Sequence, residues 1–165
     1  MGRSGYLMEH NVIPIDQLYT PEWYCKQDVE SAVRFKLTNS IKRYGYGVII
    51  VNVSFNGCYD IIDGNTRVDI LKEMGYKEVH CEMHKLSEWE AIIFSYNLNR
   101  HWSEEHIIKF SRILVDRVLP YISPVEMSNF VPESVGQINS LMNLCTFEWE
   151  KHLKTDNNLF DWMDE

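Results

Sequence analysis

The hydrophobic pattern of the first 45 residues predicts a strand followed by a helix. Val12–Leu18 (VIPIDQL) has the short apolar run of an edge strand, where Pro14 is tolerated because an edge position needs no ladder hydrogen bond. Asp28 is a candidate helix N-cap and Gly45 a candidate C-cap. Between these caps, apolar residues recur at helical spacing, at Val29, Val33, Leu37, Ile41 and Tyr44.

The next pattern indicates a β-hairpin and a further strand. The β-branched run Val48–Ser54 predicts a buried strand, and Asn56-Gly57 is a strong hairpin signal. Cys58–Ile62 is then expected to return as the partner strand. Polar and apolar residues alternate in Glu78–His84 (EVHCEMH), which predicts another strand.

Further helices are predicted wherever apolar residues at helical spacing follow an N-cap or precede a glycine or proline. The last two of them are short, and together they have the size of a helix–turn–helix. The predicted helices run through Val68–Met74, from Ser87 to Asn97, from Ser103 to Pro120, from Ser123 onward and from Pro132 onward.

The formal charge of −8 is concentrated in the C-terminal third of the chain. Residues 1–100 contain 11 Lys and Arg against 13 Asp and Glu, whereas residues 101–165 contain 5 against 11. Residues 119–150 contain no Lys or Arg. Because duplex binding depends on Lys and Arg contacts to phosphate, the sequence disfavours DNA binding by this acidic unit. The alternative is a helical cap that packs against the main domain or against a second copy, forming a homodimer.

Length and charge together predict three segments, which are a main domain at residues 8–119, a helix–turn–helix-like unit at 120–154 and an acidic tail at 155–165. No apolar run approaches the roughly 20 residues that a membrane helix needs. The N-terminus also lacks the apolar stretch of a signal peptide. A cytoplasmic protein without a membrane partner is therefore expected.

The four cysteines are scattered and include no C-x-x-C pair. This spacing fits reduced thiols in a cytosolic protein. No tight cluster of Cys and His supplies a four-ligand site, so no structural metal is expected.

The segment Ile61–Gly75 (IIDGNTRVDILKEMG) is predicted to form a phosphate-binding strand, loop and helix. Gly64 permits a positive φ and the close approach of a ligand. Asn65, Thr66 and Arg67 fall at the helix start, where unpaired N–H groups and the helix dipole favour an anion. Arg67 adds a fork of donors suited to phosphate. The alternative interpretation is an ordinary capped turn with a surface arginine.

Five segments between Val12 and Leu119 occur in a characteristic order and spacing, namely VIPIDQL, SIKRYG, IIVNVS, IIDGNTRVDILKEMG and NLNRHWSEEHI. In these segments the chain resembles the ParB N-terminal domain family of the ParB/sulfiredoxin-like superfamily, in a form typical of phage or mobile-element proteins. The resemblance implies an α+β fold, with a small mixed sheet and flanking helices, followed here by a helical C-terminal unit. It also implies a nucleoside triphosphate or diphosphate as ligand, accompanied in the family by Mg²⁺.

The family's first motif, glycine–acid–Arg–Arg, falls on residues 64–67. Gly64 and Arg67 match this motif, whereas Asn65 and Thr66 replace the acid and the first arginine. Sulfiredoxins place a catalytic cysteine in the equivalent loop, and this chain has none there. The resemblance therefore implies phosphate binding by residues 64–67 rather than sulfiredoxin chemistry.

The family's second motif, acid–Asn–x–x–Arg, falls on residues 96–100. Asn97 and Arg100 match, and the resemblance implies that they also contact the nucleotide. Tyr96 stands where the family has a metal-binding glutamate. This replacement argues against a switch driven by CTP and magnesium.

A second functional hypothesis comes from the free-serine kinases that share this fold. They carry an Asp-Gly-x-His-Arg-like loop and a glutamate soon after the first strand. The chain has Asp63 and Gly64 at the loop and Glu22 soon after VIPIDQL, although the histidine is missing. The resemblance implies a small-substrate kinase or NTPase with Glu22 or Asp63 as the base. The alternative for Glu22 is a solvated loop acid.

A third hypothesis is a ParB-like DNA-binding regulator or nuclease. Because residues 119–150 lack cations, its DNA contacts would have to come from residues 1–100. The sequence alone leaves the three hypotheses open.

Overall fold

The structure, a computed structural model, describes residues 9–24, 29–54, 57–99 and 104–143. The chain divides into two compact units, residues 1–100 and residues 101–165. The first unit contains a β-sheet with helices, and the described part of the second unit is helical. The strands are β1 (Glu9–Pro14), β2 (Leu18–Tyr19), β3 (Ile49–Val53), β4 (Tyr59–Asp63) and β5 (Glu78–His84).

The strands of the described residues form one mixed sheet in the order β1-β5-β3-β4-β2. Antiparallel pairs join β1 to β5 and β3 to β4, whereas β3 pairs with β5 and β2 with β4 in parallel. The predicted mixed sheet is confirmed, and β1 lies at an edge of it as expected. The predicted hairpin is also confirmed, because the Ser54 N–H donates to the Cys58 carbonyl and Gly57 has a φ of +80°.

The prediction of a single strand over Val12–Leu18 is wrong. β1 ends at Pro14, and a 3-10 turn over Ile15–Gln17 precedes the two residues of β2. The proline does not end the hydrogen bonding to this side of the sheet, because the N–H of Ile15 still donates to the carbonyl of Lys77, the residue before β5. The chain turns after this bond, and Leu18 and Tyr19 then pair with β4.

Two predicted helix ends of the first unit are confirmed. The Gly45 N–H donates to the carbonyl of Ile41, at a φ of +85°, and Ser87 forms a capping box with Glu90. The predicted N-cap Asp28 lies outside the described residues. The helices of the first unit are α1 (Ser31–Tyr44), α2 (Asn65–Glu73) and α3 (Glu88–Leu98).

The main core joins the strands to α1 and α2. Each buried aliphatic side chain contributes roughly 1.5–3 kcal/mol to folding. The helix α1 contributes little, because only Ile41 is buried, while Val33 and Tyr44 are 50% and 76% exposed. The apolar residues that recur at helical spacing along this helix therefore do not all face the core. The other core residues are Ile13, Ile15, Leu18, Ile49, Val51, Ile61, Val68, Ile70, Leu71, Val79, Cys81 and Met83.

The second unit is built from α4 (Glu104–Ile113), a π-helical turn (Leu114–Val118), α5 (Pro124–Met127) and a helix α6 described over residues 135–143. The predicted start of α5 is confirmed by a capping box between Ser123 and Glu126. None of the helices in the described ranges is long and apolar enough to cross a membrane. The predicted segments 8–119, 120–154 and 155–165 stay a prediction. The buried apolar residues of this unit are Phe110, Leu114, Val118, Met127, Val131 and Ile138.

Candidate functional site

The candidate site lies where β4 ends and α2 begins. β4 ends at Asp63, Gly64 makes the turn and α2 starts at Asn65, so the predicted strand, loop and helix are confirmed. Gly64 has a φ of +105°, in the left-handed region that favours glycine. A Cβ atom at this position would also lie 2.8 Å from Cδ1 of Ile49. The turn therefore requires glycine for its backbone angle and for the space beside it.

The N-terminus of α2 has no side-chain cap among the described residues. The first hydrogen bond of the helix runs from the Val68 N–H to the Gly64 carbonyl. The N–H groups of Asn65, Thr66 and Arg67 consequently have no partner within the helix. No acidic residue lies in this first turn. Together with the positive end of the helix dipole, these N–H groups give the terminus a positive potential, which favours an anion.

Asn65 is the buried residue of this terminus, with 4% of its surface exposed. Its Oδ1 accepts a hydrogen bond of 2.7 Å from the hydroxyl of Thr20. Its Nδ2 is buried and has no hydrogen-bond partner within the part of the chain that the structure describes. Because an unpaired buried donor costs about 1–3 kcal/mol, an acceptor atom of a ligand at this position would stabilise the protein.

The guanidinium of Arg67 bonds to groups of its own domain. Nη1 donates to the carbonyl oxygens of Tyr46, at 3.0 Å, and Val48, at 2.6 Å. Nη2 donates to Oδ2 of Asp63 at 2.6 Å. The side chain thereby fastens the start of α2 to the loop between α1 and β3. A Cβ atom on Gly47 would lie 3.3 Å from Nη1, so this glycine lets the guanidinium approach the loop.

These contacts bear on two predicted site residues. The carboxylate of Asp63, a predicted base, accepts the hydrogen bond from Arg67, and both side chains are partly exposed. The structural function of Arg67 has no local signal in the sequence, since its two carbonyl partners lie about 20 residues earlier. Its predicted function as a phosphate ligand stays a prediction. Thr66, between Asn65 and Arg67, is half-buried in the first turn of α2.

Glu22 lies in a turn beside the segment that contacts α2. The turn is closed by a hydrogen bond from the Tyr24 N–H to the Pro21 carbonyl, and Glu22 is exposed in it. Thr20, two residues earlier, holds Asn65. Glu22 therefore lies two residues after Thr20, which contacts the α2 terminus directly.

The helix α3 is attached to the strand that leads into the site. The buried hydroxyl of Ser95 donates to the carbonyl of Ile62 at 2.9 Å. Asn97 follows two residues later on α3 and is half-buried. The other predicted ligand in this region, Arg100, lies outside the described residues.

Two residues that organise the site were not predicted from the sequence. Thr20 follows β2 directly and is 45 residues away from its partner Asn65. Asn52, buried in β3, donates to the carbonyl of Leu86 and accepts from its N–H, which holds the entry to α3. A polar side chain in the apolar strand IIVNV was the available signal for Asn52.

The side chains of the site that the structure describes do not assemble a metal site. In the described ranges, no group of three or more His, Cys, Asp and Glu residues is close enough to hold a metal ion. The carboxylate nearest to the loop, that of Asp63, is engaged by Arg67. The donors that remain are backbone N–H groups and the Asn65 amide, which suit an anion rather than a cation.

No protein-family model and no curated protein matches the sequence. Solved structures nevertheless share the fold. The chain superposes on the C-terminally truncated chromosome-partitioning protein ParB from Caulobacter crescentus, complexed to the centromeric parS site, with a TM-score of 0.53 at 16% identity over 80% of this chain and 70% of that one. It superposes on the pNOB8-like ParB N-domain with a TM-score of 0.53 at 18% identity over 78% of this chain and 49% of that one.

The Caulobacter protein complexed with CTP-gamma-S gives a TM-score of 0.49 at 18% identity over 81% of this chain and 77% of that one. The parS complex and the pNOB8-like domain support the fold. The chain has a ParB-like α+β fold, as the sequence resemblance implied.

Proposed function

We propose that this ParB-like domain binds a nucleotide through its phosphate groups at the N-terminus of α2. The observation that carries the proposal is the Asn65 amide, whose buried Nδ2 has no partner among the described residues. This donor lies in the same turn as the helix N–H groups that a phosphate would accept from. A buried donor and a helix terminus at one place favour an anion over a neutral ligand.

In the proposed binding mode the phosphate oxygens accept hydrogen bonds from Asn65 Nδ2 and from the first N–H groups of α2. Gly64 supplies the positive φ with which the chain turns from β4 into this helix. Arg67 is proposed as a further phosphate ligand, beside the loop that its guanidinium holds and with Asp63 as its ion-pair partner. Asn97 and Arg100 are proposed as further ligands, from α3 and the residues after it.

Isothermal titration calorimetry with CTP, ATP and ADP tests this mode, and CTP is included because the Caulobacter protein forms a complex with CTP-gamma-S. The diagnostic variant is Asn65→Asp. It keeps the size of the side chain and an oxygen for the Thr20 hydroxyl, but it replaces the donor by a negative charge. We expect affinity to fall at least about tenfold, since each lost charge-assisted hydrogen bond is worth roughly 1.5–3 kcal/mol.

The matched control is Asn11→Asp, which adds the same charge at an exposed position of β1, at the sheet edge three strands from β4. It should leave nucleotide affinity within about twofold of the parent protein, because exposed charges at a distance are screened by salt. Equal affinity in the parent and Asn65→Asp proteins, or no binding of any of the three nucleotides at millimolar concentration, would overturn the proposal.

Phosphoryl transfer to a small hydroxyl substrate is a second candidate function, favoured by the contact between Thr20 and Asn65 that brings Glu22 toward the α2 terminus. The Glu22 carboxylate would take the hydroxyl proton as the substrate oxygen bonds to the γ-phosphorus of ATP. The bond from the γ-phosphorus to the bridging oxygen would break, and ADP would leave. Asp63 is the alternative base.

Release of ADP that depends on an added hydroxyl substrate would support this second function. It should be lost in Glu22→Gln while ATP binding is retained, because the substitution removes the base but none of the proposed phosphate donors. Release that persists in Glu22→Gln and stops in Asp63→Asn would assign the base to Asp63 instead. If nucleotide binds but no such release of ADP occurs, only the binding function is supported.

A further inference from the structure

The outward face of α1 carries cations without acidic neighbours. Ser31–Tyr44 contains four of the 16 Lys and Arg residues of the chain and no Asp or Glu. Arg34 forms an ion pair of 2.7 Å with Glu73 of α2. Lys36, Lys42 and Arg43 are exposed and have no carboxylate partner among the described residues. A chain of net charge −8 thus has a positive surface along one helix.

An exposed aromatic ring lies on the same face. At about 100° per residue, positions 35, 36, 39, 42 and 43 fall within a sector of about 120°, and Leu37 and Ile41 point away from it. Phe35 lies in this sector and is 67% exposed. Asn39 is also exposed within it. The guanidinium of Arg43 is 5.3 Å from the centroid of the Tyr44 ring, which holds it at the helix end.

The helix dipole explains only part of this arrangement. Lysine and arginine in the last turn are stabilised by the dipole, which accounts for Lys42 and Arg43. It does not account for Lys36 in the second turn. Nor does it account for a phenylalanine that is largely exposed between lysines, because burial of that ring elsewhere would be favourable.

We infer that the outward face of α1, formed by Phe35, Lys36, Asn39, Lys42 and Arg43, binds single-stranded nucleic acid. The cations contact phosphates over about 10 Å of helix length, from Lys36 to Arg43. The Phe35 ring stacks on an unpaired base, and the Asn39 amide bonds to a base edge or sugar. This site differs in composition from the α2 terminus, whose donors are a buried amide and backbone N–H groups.

The chemistry of the outward face of α1 favours single-stranded nucleic acid over a duplex or a membrane surface. A duplex keeps its bases stacked and offers Phe35 only a phosphate backbone, whereas an unpaired base offers a ring face. A membrane-surface helix needs a continuous apolar side. Here the outward sector has one large apolar residue, Phe35, and the small Ala32 among three cations and an amide, which suits a chain of phosphates and bases better than lipid.

Fluorescence anisotropy with a labelled oligothymidylate of about 20 nucleotides tests the inference across about 50–200 mM salt. The parent protein should bind with a logarithmic salt slope of about −2, as expected for three phosphate contacts on a single strand. In the triple variant Lys36→Gln, Lys42→Gln and Arg43→Gln, affinity should fall at least about tenfold and the slope should approach zero. Phe35→Ala should weaken binding about tenfold with the slope unchanged, because stacking releases no counterions.

The charge-matched control is the triple variant Lys72→Gln, Lys77→Gln and Lys85→Gln, which removes three exposed cations elsewhere in the same unit. It should bind within about twofold of the parent protein. All the substituted side chains are exposed, so circular dichroism should show unchanged helix content. The inference is overturned if both triple variants lose affinity equally, or if a duplex binds more tightly and Phe35→Ala has no effect. Binding to phosphatidylserine vesicles without binding to the oligonucleotide would also overturn it.

Discussion

The Thr20 hydroxyl donates a hydrogen bond of 2.7 Å to Oδ1 of Asn65, which lies 45 residues later in the chain. The bond sets the orientation of a buried amide, because an oxygen held by Thr20 leaves Nδ2 as the group without a partner among the described residues. It also ties the turn that contains Glu22 to the start of α2. This one hydrogen bond therefore determines which atom of Asn65 is the donor in the proposed site and which segment lies beside it.

The first prediction concerns the substitution Thr20→Val, which keeps the shape of the side chain and removes its donor. We expect the free energy of unfolding to fall by about 1 kcal/mol, since a single hydrogen bond is lost. Nucleotide affinity should fall severalfold because the Asn65 amide is no longer held in one orientation. Calorimetry and urea denaturation measure the two quantities. Thr38→Val is the control, since the Thr38 hydroxyl bonds only to the Arg34 carbonyl within α1, and it should leave affinity unchanged.

The second prediction concerns Arg67, whose guanidinium bonds to two carbonyls and one carboxylate. A lysine cannot reach all three acceptors, so Arg67→Lys should lower the free energy of unfolding by roughly 2–3 kcal/mol. The control Arg34→Lys alters an exposed ion pair with Glu73 and should lower it by less than about 1 kcal/mol. Equal stability of the two variants in urea denaturation would contradict the structural function of Arg67.

The third prediction separates two reasons why glycine occupies position 64. In Gly45→Ala the alanine must adopt a positive φ but meets no steric clash, because a Cβ there has nothing within 4 Å. This variant should be destabilised by about 1–2 kcal/mol. Gly64→Ala adds a contact of 2.8 Å with Ile49 Cδ1, which should bring the loss to roughly 3 kcal/mol. Thermal denaturation of both variants measures the difference. A loss at Gly64 no larger than that at Gly45 would show that the side chain of Ile49 relaxes away.

The fourth prediction concerns Asp60 in β4, whose pKa is raised above its usual 3.8 mainly by burial and also by the nearby charge of Glu88, while a hydrogen bond from Ser54 opposes the shift. The folded state therefore holds this proton more tightly than the unfolded state. Stability from this group is present below pH 3.8 and is lost as the pH rises through the folded-state pKa. Asp60→Asn should consequently be more stable relative to the parent protein at pH 7 than at pH 3.5.

Denaturant titrations at the two pH values check this sign. Asn keeps an oxygen that can accept the hydrogen bond from Ser54, so the comparison reports the charge rather than the bond. Asp16→Asn, at an exposed position, is the control. If the stability of Asp60→Asn relative to the parent protein were the same at both pH values, burial of the Asp60 charge would be excluded as a cause of pH-dependent stability.

Local signals in the sequence predicted most elements of the fold. The strand Glu78–His84 has the predicted bounds, and the capping box between Ser87 and Glu90 begins α3 where an N-cap was expected. These features depend on residues within one or two turns of each other, so alternation and cap chemistry suffice to find them. The prediction over Val12–Leu18 was wrong because the same apolar run serves two different strand partners.

By itself, the sequence determined the strand–loop–helix at Asp63–Arg67 and the absence of cations from residues 119–150, because periodicity, glycine and charge act locally or by composition. Its resemblance to the ParB N-terminal domain family implied the fold class. Only the tertiary structure decided that the guanidinium of Arg67 holds the loop at Tyr46 and that the amide of Asn65 keeps a donor with no partner in the described part of the chain. It also decided that Phe35 lies exposed. Each of these depends on which distant groups reach the same place, and that is set when the sheet and helices pack together.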